Sequence, residues 1–379
     1  MNPSMGPGGN VPLWELGSWR ELGSLEGTRF ADVCVVGLGG SGLAAVLELR
    51  RLGVSVVGLD AGSVAAGAAG RNGGLLLAGT AAFYHDARRA LGAERAHHLY
   101  QLTRQGVTDE LAAAGPTARR VGSLRVAADE GERADCEAQY AAMREDGLPV
   151  ERYEGPEGVG LLFEEDAVFN PLERCRRLAR AALAGGAELF ERSRVTELSG
   201  TRVGTERGEV VCGAAIVAVD GQLARLLPEL AGRVRDVRLQ MLGTAPTDEV
   251  RFQRPVYRRY GFEYYQQDPL GRIALGGFRD RGGAAEWTDD PEPSGPVQEL
   301  LEGYLHDALG VRAPITHRWA ATVGYVDGVL PVAEQVRAGV WALGAYNGTG
   351  NVIGAVLGRA AARRAVGLPS TEWEAFGGS

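Results

Sequence analysis

The chain has 379 residues, enough for two lobes at roughly 150 residues each, and its 45% hydrophobic and 23% charged content is that of a globular protein. A net charge of −8 argues against a broad nucleic-acid or anionic-membrane surface, since both need clustered positive charge. Every basic residue is Arg, which excludes Schiff-base, pyridoxal-phosphate and Walker-type chemistry through Lys.

Residues 1–28 are rich in Pro and Gly around Trp14 and Trp19, and predict an arm packed on the surface without the features of a signal peptide. Residues 31–36 are an apolar run of strand length. Residues 41–52 carry Leu43, Val46, Leu47 and Leu49 at helical spacing, and 54–59 form a second buried strand. Strand, helix and strand in so short a span make a βαβ unit, hence a parallel sheet. A helical region follows over 85–114, ending before Pro116, and then a polar, mixed stretch over 121–149. Beyond it come a helix over 171–184, a strand over 188–195 and a strand ending at 216–219.

From 237 to 278 the pattern turns to alternating, aromatic-rich strands, the signature of an antiparallel sheet, with Asp268-Pro269-Leu270-Gly271 as its hairpin turn. Read as one strand, 257–265 puts Tyr260, Phe262 and Tyr264 on one face and Tyr257, Glu263 and Tyr265 on the other. A helix over 297–309, a strand over 340–343 and a helix over 351–365 close the chain. Residues 338–358 are uncharged, but Tyr346 to Asn351 interrupt them with turn residues, so no membrane span is expected. The expected fold is α/β: a discontinuous Rossmann-type lobe over 29–115, 166–232 and 317–379, and an α+β lobe over 116–165 and 233–316 with an antiparallel sheet.

Gly37-Leu38-Gly39-Gly40-Ser41-Gly42 is a G-x-G-x-x-G series between the first strand and its helix. Gly37 permits the tight turn, Gly39 lets a pyrophosphate approach the backbone, and Gly42 lets helix and strand pack closely. Phosphate charge then meets the unpaired N–H groups of a helix start. Asp60 ends the second strand about 20 residues on, where a carboxylate accepts from ribose hydroxyls, and the absence of Arg just after it favours a bare ribose. The small-residue run from Gly67 to Gly74 reads either as a flexible surface loop or as a tight loop whose amides border a flat ring. Four cysteines, Cys34, Cys136, Cys175 and Cys212, lack motif spacing and suggest buried thiols in a reduced, cytoplasmic compartment. The five His never pair at ligand spacing, so no metal site is expected.

These segments together resemble the D-amino-acid-oxidase-like superfamily of FAD-dependent oxidoreductases, over about residues 30–366. The likeness rests on an ordered series: residues 31–42, Asp60, Gly70-Arg71-Asn72-Gly73-Gly74, Phe169-Asn170-Pro171, Arg194-Val195, Ala218-Val219-Asp220-Gly221, Leu275-Gly276-Gly277, Asp327 to Pro331 and Ala345 to Gly350. Two of its forms look most like γ-glutamylputrescine oxidase and its relatives. The resemblance implies non-covalent FAD, with Gly37, Gly39, Gly40, Ser41, Gly42, Asp60 and Ala61 on the ADP half and Val195, Val219 and Asp220 beside it. Arg71, Asn72, Gly73 and Gly74 would follow the isoalloxazine edge. Gly344, Asn347, Gly348, Thr349, Gly350 and Asn351 would set a helix N-terminus against its pyrimidine end.

The implied reaction is oxidation of a CH–NH bond of a small amine by hydride transfer to the flavin, giving an imine that hydrolyses. Glycine or a D-amino acid is the alternative substrate, and a nucleotide-binding protein without turnover the alternative of another class. Family members that oxidise amino acids hold the carboxylate with an Arg in a stretch after a Trp-Ala pair; here Trp319-Ala320 leads into Ala321-Thr322-Val323-Gly324 with no Arg. Arg279 is the candidate replacement, with Trp319 leading into the flavin-facing region and Tyr265 as a wall of the substrate cavity. No Cys follows Cys212, which removes the late attachment point of the sarcosine-oxidase-like members, and without their Lys the electron acceptor, oxygen or another molecule, stays open.

Overall fold

The computed structural model describes residues 9–377. The strand Gly27–Val36 lies at the centre of a sheet, parallel to Val56–Leu59 on one side and Gly208–Val217 on the other. Glu188–Phe190 and Val340–Gly344 extend it at either side, again parallel. The central runs are buried on both faces, which explains their unbroken Val, Leu and Ala content. One face packs on the helices Gly40–Arg51, Pro171–Ala184 and Gly350–Ala365. The other is covered by the antiparallel extension Val195–Ser199 and Arg202–Thr205 and by the short helix Leu223–Leu226.

The second sheet has eight strands in the order Ile315–Tyr325, Arg235–Thr244, Ile273–Gly277, Glu263–Gln267, Val256–Arg258, Ser123–Val126, Gly158–Phe163, Glu151–Gly155. All its pairs are antiparallel except Val256–Arg258 beside Ser123–Val126. Side chains alternate between its faces, so each row of paired residues belongs to one face. Leu242, Leu275, Tyr265, Val256, Leu124 and Leu162 form one row, packed under the helix Gly295–Asp307 through Val297, Leu301 and Leu305. Trp319, Met241, Gly276, Tyr264, Tyr257 and Arg125 form a neighbouring row on the opposite face, where Trp319, Met241 and Tyr264 pack against the first lobe's core.

Several expectations change. The region 257–265 is a hairpin rather than one strand: Arg259, Tyr260 and Gly261 take positive φ of +53°, +56° and +85°, and the chain reverses there. That reversal restores Tyr257 to the face of Tyr264 and separates it from Tyr265. The helical region over 85–114 is two helices, Tyr84–Leu91 and Ala93–Ala114, broken where Gly92 has φ +83°. Of the N-terminal arm, 1–8 lie outside the described residues; Leu13 and Trp14 are 1% and 3% exposed within the main core, while 15–24 run along the surface. The boundary expected between 316 and 317 falls inside Ile315–Tyr325, which pairs along its length with Arg235–Thr244 in the second sheet. All four cysteines are free and buried, and no helix among the described residues is long and apolar enough to cross a membrane.

Candidate active site

A cavity of about 1020 Å³ opens along the C-terminal ends of the parallel strands, at the top of the range of ordinary ligand sites and large enough for a dinucleotide. Gly37 turns the chain out of the first strand with φ +99°, a conformation that favours Gly, and its N–H donates to the Leu59 carbonyl over 2.7 Å. A Cβ on Gly42 would stand 1.8 Å from the Gly37 carbonyl oxygen, so no other residue allows this helix to start so close to its strand. Gly37, Gly39, Gly40 and Ser41 line the cavity, whereas Gly42 acts behind them through packing.

Asp60 lies in the wall, accepting from the Leu38 and Gly62 N–H groups over 2.8 Å each. Burial raises its pKa, and those two hydrogen bonds oppose the rise. Arg174 escaped the sequence reading: its guanidinium abuts Gly40, pairs with Glu110 inside the protein, and keeps a buried Nε with no partner. Two helices, Gly40–Arg51 and Gly350–Ala365, present their N-termini to this one cavity without a side-chain cap. Unpaired N–H groups of two helix starts facing one cavity, with a guanidinium beside one of them, are a donor set for an anionic dinucleotide.

The loop 71–74 is clamped from every side. Trp319 Nε1 donates to the Arg71 carbonyl over 2.7 Å, Trp14 Nε1 to that of Asn72 over 2.7 Å, and Gln266 Nε2 to those of Gly73 and Gly74. Asn351 Nδ2 reaches Asn72 Oδ1 and the Leu75 carbonyl, while Arg71 reaches Asn10 Oδ1 and the Ala320 carbonyl. The run is therefore a rigid wall and not a flexible surface loop. Asn10 comes from the arm and lines the cavity itself. Glu191, fully buried, ties the arm down by accepting from Trp19 Nε1 and from the Leu22 and Val64 N–H groups.

Asp220 stitches three segments, accepting from the Gly324 N–H over 3.0 Å and the Ala345 N–H over 2.8 Å while its own φ is +53°. Burial pushes its carboxyl up to about 6. Ala61, Arg71, Asn72, Val195, Val219, Asp220, Gly348, Gly350 and Asn351 all stand in the cavity wall. Gly73, Gly74, Gly344, Asn347 and Thr349 are outside it; Asn347 turns its side chain to the Val326 N–H and the Gly328 carbonyl, and Thr349 Oγ1 donates to the Tyr346 carbonyl.

The three residues expected to do chemistry fare differently. Tyr265 is buried on the helix side of its sheet, its ring 4.8 Å from that of Phe252, because strand alternation sends it away from the first lobe. Tyr264, on the other face, is the tyrosine that lies against the loop: a Cβ on Gly73 would stand 3.1 Å from its ring. Trp319 is fully buried and holds the loop instead of facing open space. Arg279 lies over the rings of Tyr325 at 4.6 Å and Phe262 at 4.9 Å, with no carboxylate partner among the described residues. Burial pushes the phenols of Tyr257, Tyr264 and Tyr325 upward, so all three stay neutral.

The family profile described as FAD dependent oxidoreductase matches residues 32–364. The chain belongs to that family. It is 26% identical over 374 residues to the probable oxidoreductase OrdL of Rhizobium meliloti, covering 92% of this chain and 86% of the relative. It is also 26% identical over 366 residues to the γ-glutamylputrescine oxidoreductase of Escherichia coli, covering 86% and 82%. Among solved structures it resembles glycine oxidase from Geobacillus kaustophilus, with TM-score 0.75 at 18% identity over 90% of this chain and 96% of that one. L-amino acid deaminase from Proteus vulgaris superposes with TM-score 0.76 at 17% identity, covering 96% and 97%. In this FAD-dependent oxidoreductase one cavity gathers a glycine turn, an acidic strand end and two uncapped helix starts, a set whose donors and acceptors fit a dinucleotide.

Proposed function

We propose that this enzyme oxidises the CH–NH bond of a small amine to an imine, which water then hydrolyses. Gly37, Gly39, Gly40 and Ser41 would hold the pyrophosphate of FAD, with Arg174 beside its charge and Asp60 as the acceptor for the ribose. The loop 71–74 and the start of Gly350–Ala365 would hold the ring system, the helix start through its amide dipoles. Bound FAD supplies the two-electron acceptor for a hydride leaving the carbon next to nitrogen.

The observation that carries the reading is the sheet face laid against Gly73 and Gly74: Tyr264, Tyr257 and Gln266 from the second lobe, with Arg279 near Tyr325. Neutral phenols and a cation without a carboxylate counterpart disfavour an ammonium ion there, so the substrate nitrogen is held neutral. A neutral amine keeps the lone pair that assists departure of the hydride, and no protein base is needed. The rings exclude water while the imine forms, and Gln266 keeps the loop carbonyls fixed by donating to both.

Anaerobic titration of the yellow holoenzyme with alkylamines, polyamines, glycine and D-amino acids tests this. Bleaching by amines is the expected result, with the responding set defining the substrate. Colour that persists through the whole panel, in protein whose flavin dithionite still reduces, overturns it.

A further inference from the structure

We infer that Arg125 anchors an anionic group at the far end of an elongated amine substrate; the inference rests on the amine reading for the reacting end only. Arg125, Tyr257 and Tyr264 are consecutive members of one cross-strand row, so all three project from the same face. Strands stand ~4.8 Å apart, which puts Arg125 about 10 Å along the face from the tyrosine that touches Gly73. An extended chain of about eight carbons spans that distance.

The Arg125 guanidinium lies 4.2 Å over the Phe83 ring and 5.4 Å from that of Tyr257. Its one polar contact is a weak 3.4 Å approach to Gln139 Oε1, and no carboxylate pairs with it among the described residues. A half-buried guanidinium normally finds a carboxylate, because an uncompensated cation is costly to desolvate. Its neighbours Arg104 and Arg88 both do, with Glu165 and Glu145.

Beside Arg125 a second cavity of about 40 Å³ is walled mainly by apolar side chains such as Leu99 and Phe163, with Tyr257, Gln139, Tyr100 and Asp166 as polar members. At ~10–15 Å³ per water it has room for about three heavy atoms, the size of a carboxylate and too small for a whole substrate. Asp166 in its wall is engaged by Ser123 Oγ and the Ala78 N–H. Burial raises its carboxyl pKa and the Arg125 charge opposes the rise, but no hydrogen bond or ion pair joins the two. A charge-assisted pair here gives selectivity for a terminal anion over an uncharged terminus.

The test uses FAD-loaded enzyme and three unreactive or reactive probes of one length: octanoate, octylamine and diaminooctane, followed by calorimetry and by perturbation of the flavin band. In Arg125→Gln the affinity for octanoate falls roughly ten- to a hundredfold and its preference over octylamine disappears. Arg125→Glu inverts the order, favouring diaminooctane, while Arg125→Lys retains part of the octanoate preference. Octanoate binding equal to that of the parent in Arg125→Gln overturns the inference, as does equal weakening of all three probes, which is what a merely structural Arg would cause. Octanoate carries no amine. If its binding depends on Arg125 but no amine bleaches the flavin, the anchor stands and the amine reading falls.

Discussion

The two faces of the second sheet are made by the same strands, yet they treat charge in opposite ways. Toward the helix Gly295–Asp307 the middle of the face is apolar, and the charges at its margins are paired: Glu263 with Arg258 and Arg259, Arg318 with Glu302. Toward the first lobe, Arg125 and Arg279 lie over aromatic rings, and among the described residues neither forms an ion pair with a carboxylate, although Asp166 shares a small cavity with Arg125. Burial of an unpaired cation costs stability, and in the proposed reading a ligand supplies the missing counter-charge. On that reading one face holds the lobe together and the other serves a ligand.

That contrast is sharpest at two adjacent tyrosines. Replacing Tyr265 by Ala removes a ring from the helix-side core, where Phe252, Leu275 and Val297 have no means of filling the space. The expected loss is ~3–5 kcal/mol of unfolding free energy, a large part of what a domain has. Urea unfolding measures it, and amine turnover per bound flavin in the protein that remains folded should match the parent. A stable Tyr265→Ala protein with impaired turnover reverses the assignment of the faces.

Charge burial near the cofactor-side face predicts a pH effect of intermediate size. Burial pushes the Asp166 carboxyl up to about 7 from an ordinary 3.8, against the hydrogen bond from Ser123. Between those values the folded chain holds a proton that the unfolded chain has lost, so stability falls as pH rises from about 4 to about 7. The steepest slope this group contributes is ~1.4 kcal/mol per pH unit. Asp166→Asn keeps an acceptor for the Ala78 N–H, and its melting temperature should exceed the parent's at pH 8 and converge with it near pH 4. Parallel melting curves across that window show that Asp166 is ionised in the fold.

Much of the first lobe was legible because its signals are local. A glycine turn, an apolar run and an acid at a strand end lie within one βαβ unit, and each names its own geometry. The second lobe was legible as a class but not in its facing. Alternation over 257–265 was read through a turn that three left-handed residues impose, and aromatic residues occupy both faces, so hydrophobicity could not say which ring meets the cofactor. Arg174, Glu191 and Asn10 were missed for a different reason. Their partners lie at distant positions in the chain: Arg174 reaches Glu110 and the start of the first helix, and Asn10 reaches Arg71 and Ala320. No spacing rule joins them. The uncapped start of Gly350–Ala365 was visible in outline, but not that Asn347 would spend its side chain on the neighbouring loop.

The smallest effect separates the faces by a single oxygen. Tyr264→Phe keeps the ring against Gly73 and removes only the hydroxyl, which hydrogen-bonds none of the described residues closely enough to be fixed by them. If that hydroxyl meets substrate, its loss costs ~1 kcal/mol, or about a fivefold drop in kcat/KM carried mainly by KM. Tyr265→Phe makes the same chemical change one residue away, behind the sheet, and should leave both constants at parental values. Steady-state kinetics with the best amine from the bleaching panel distinguishes them, provided the two variants bind flavin equally. Equal kinetic effects from the two substitutions mean that the hydroxyls act through the sheet as a whole, and the division of labour between its faces then fails.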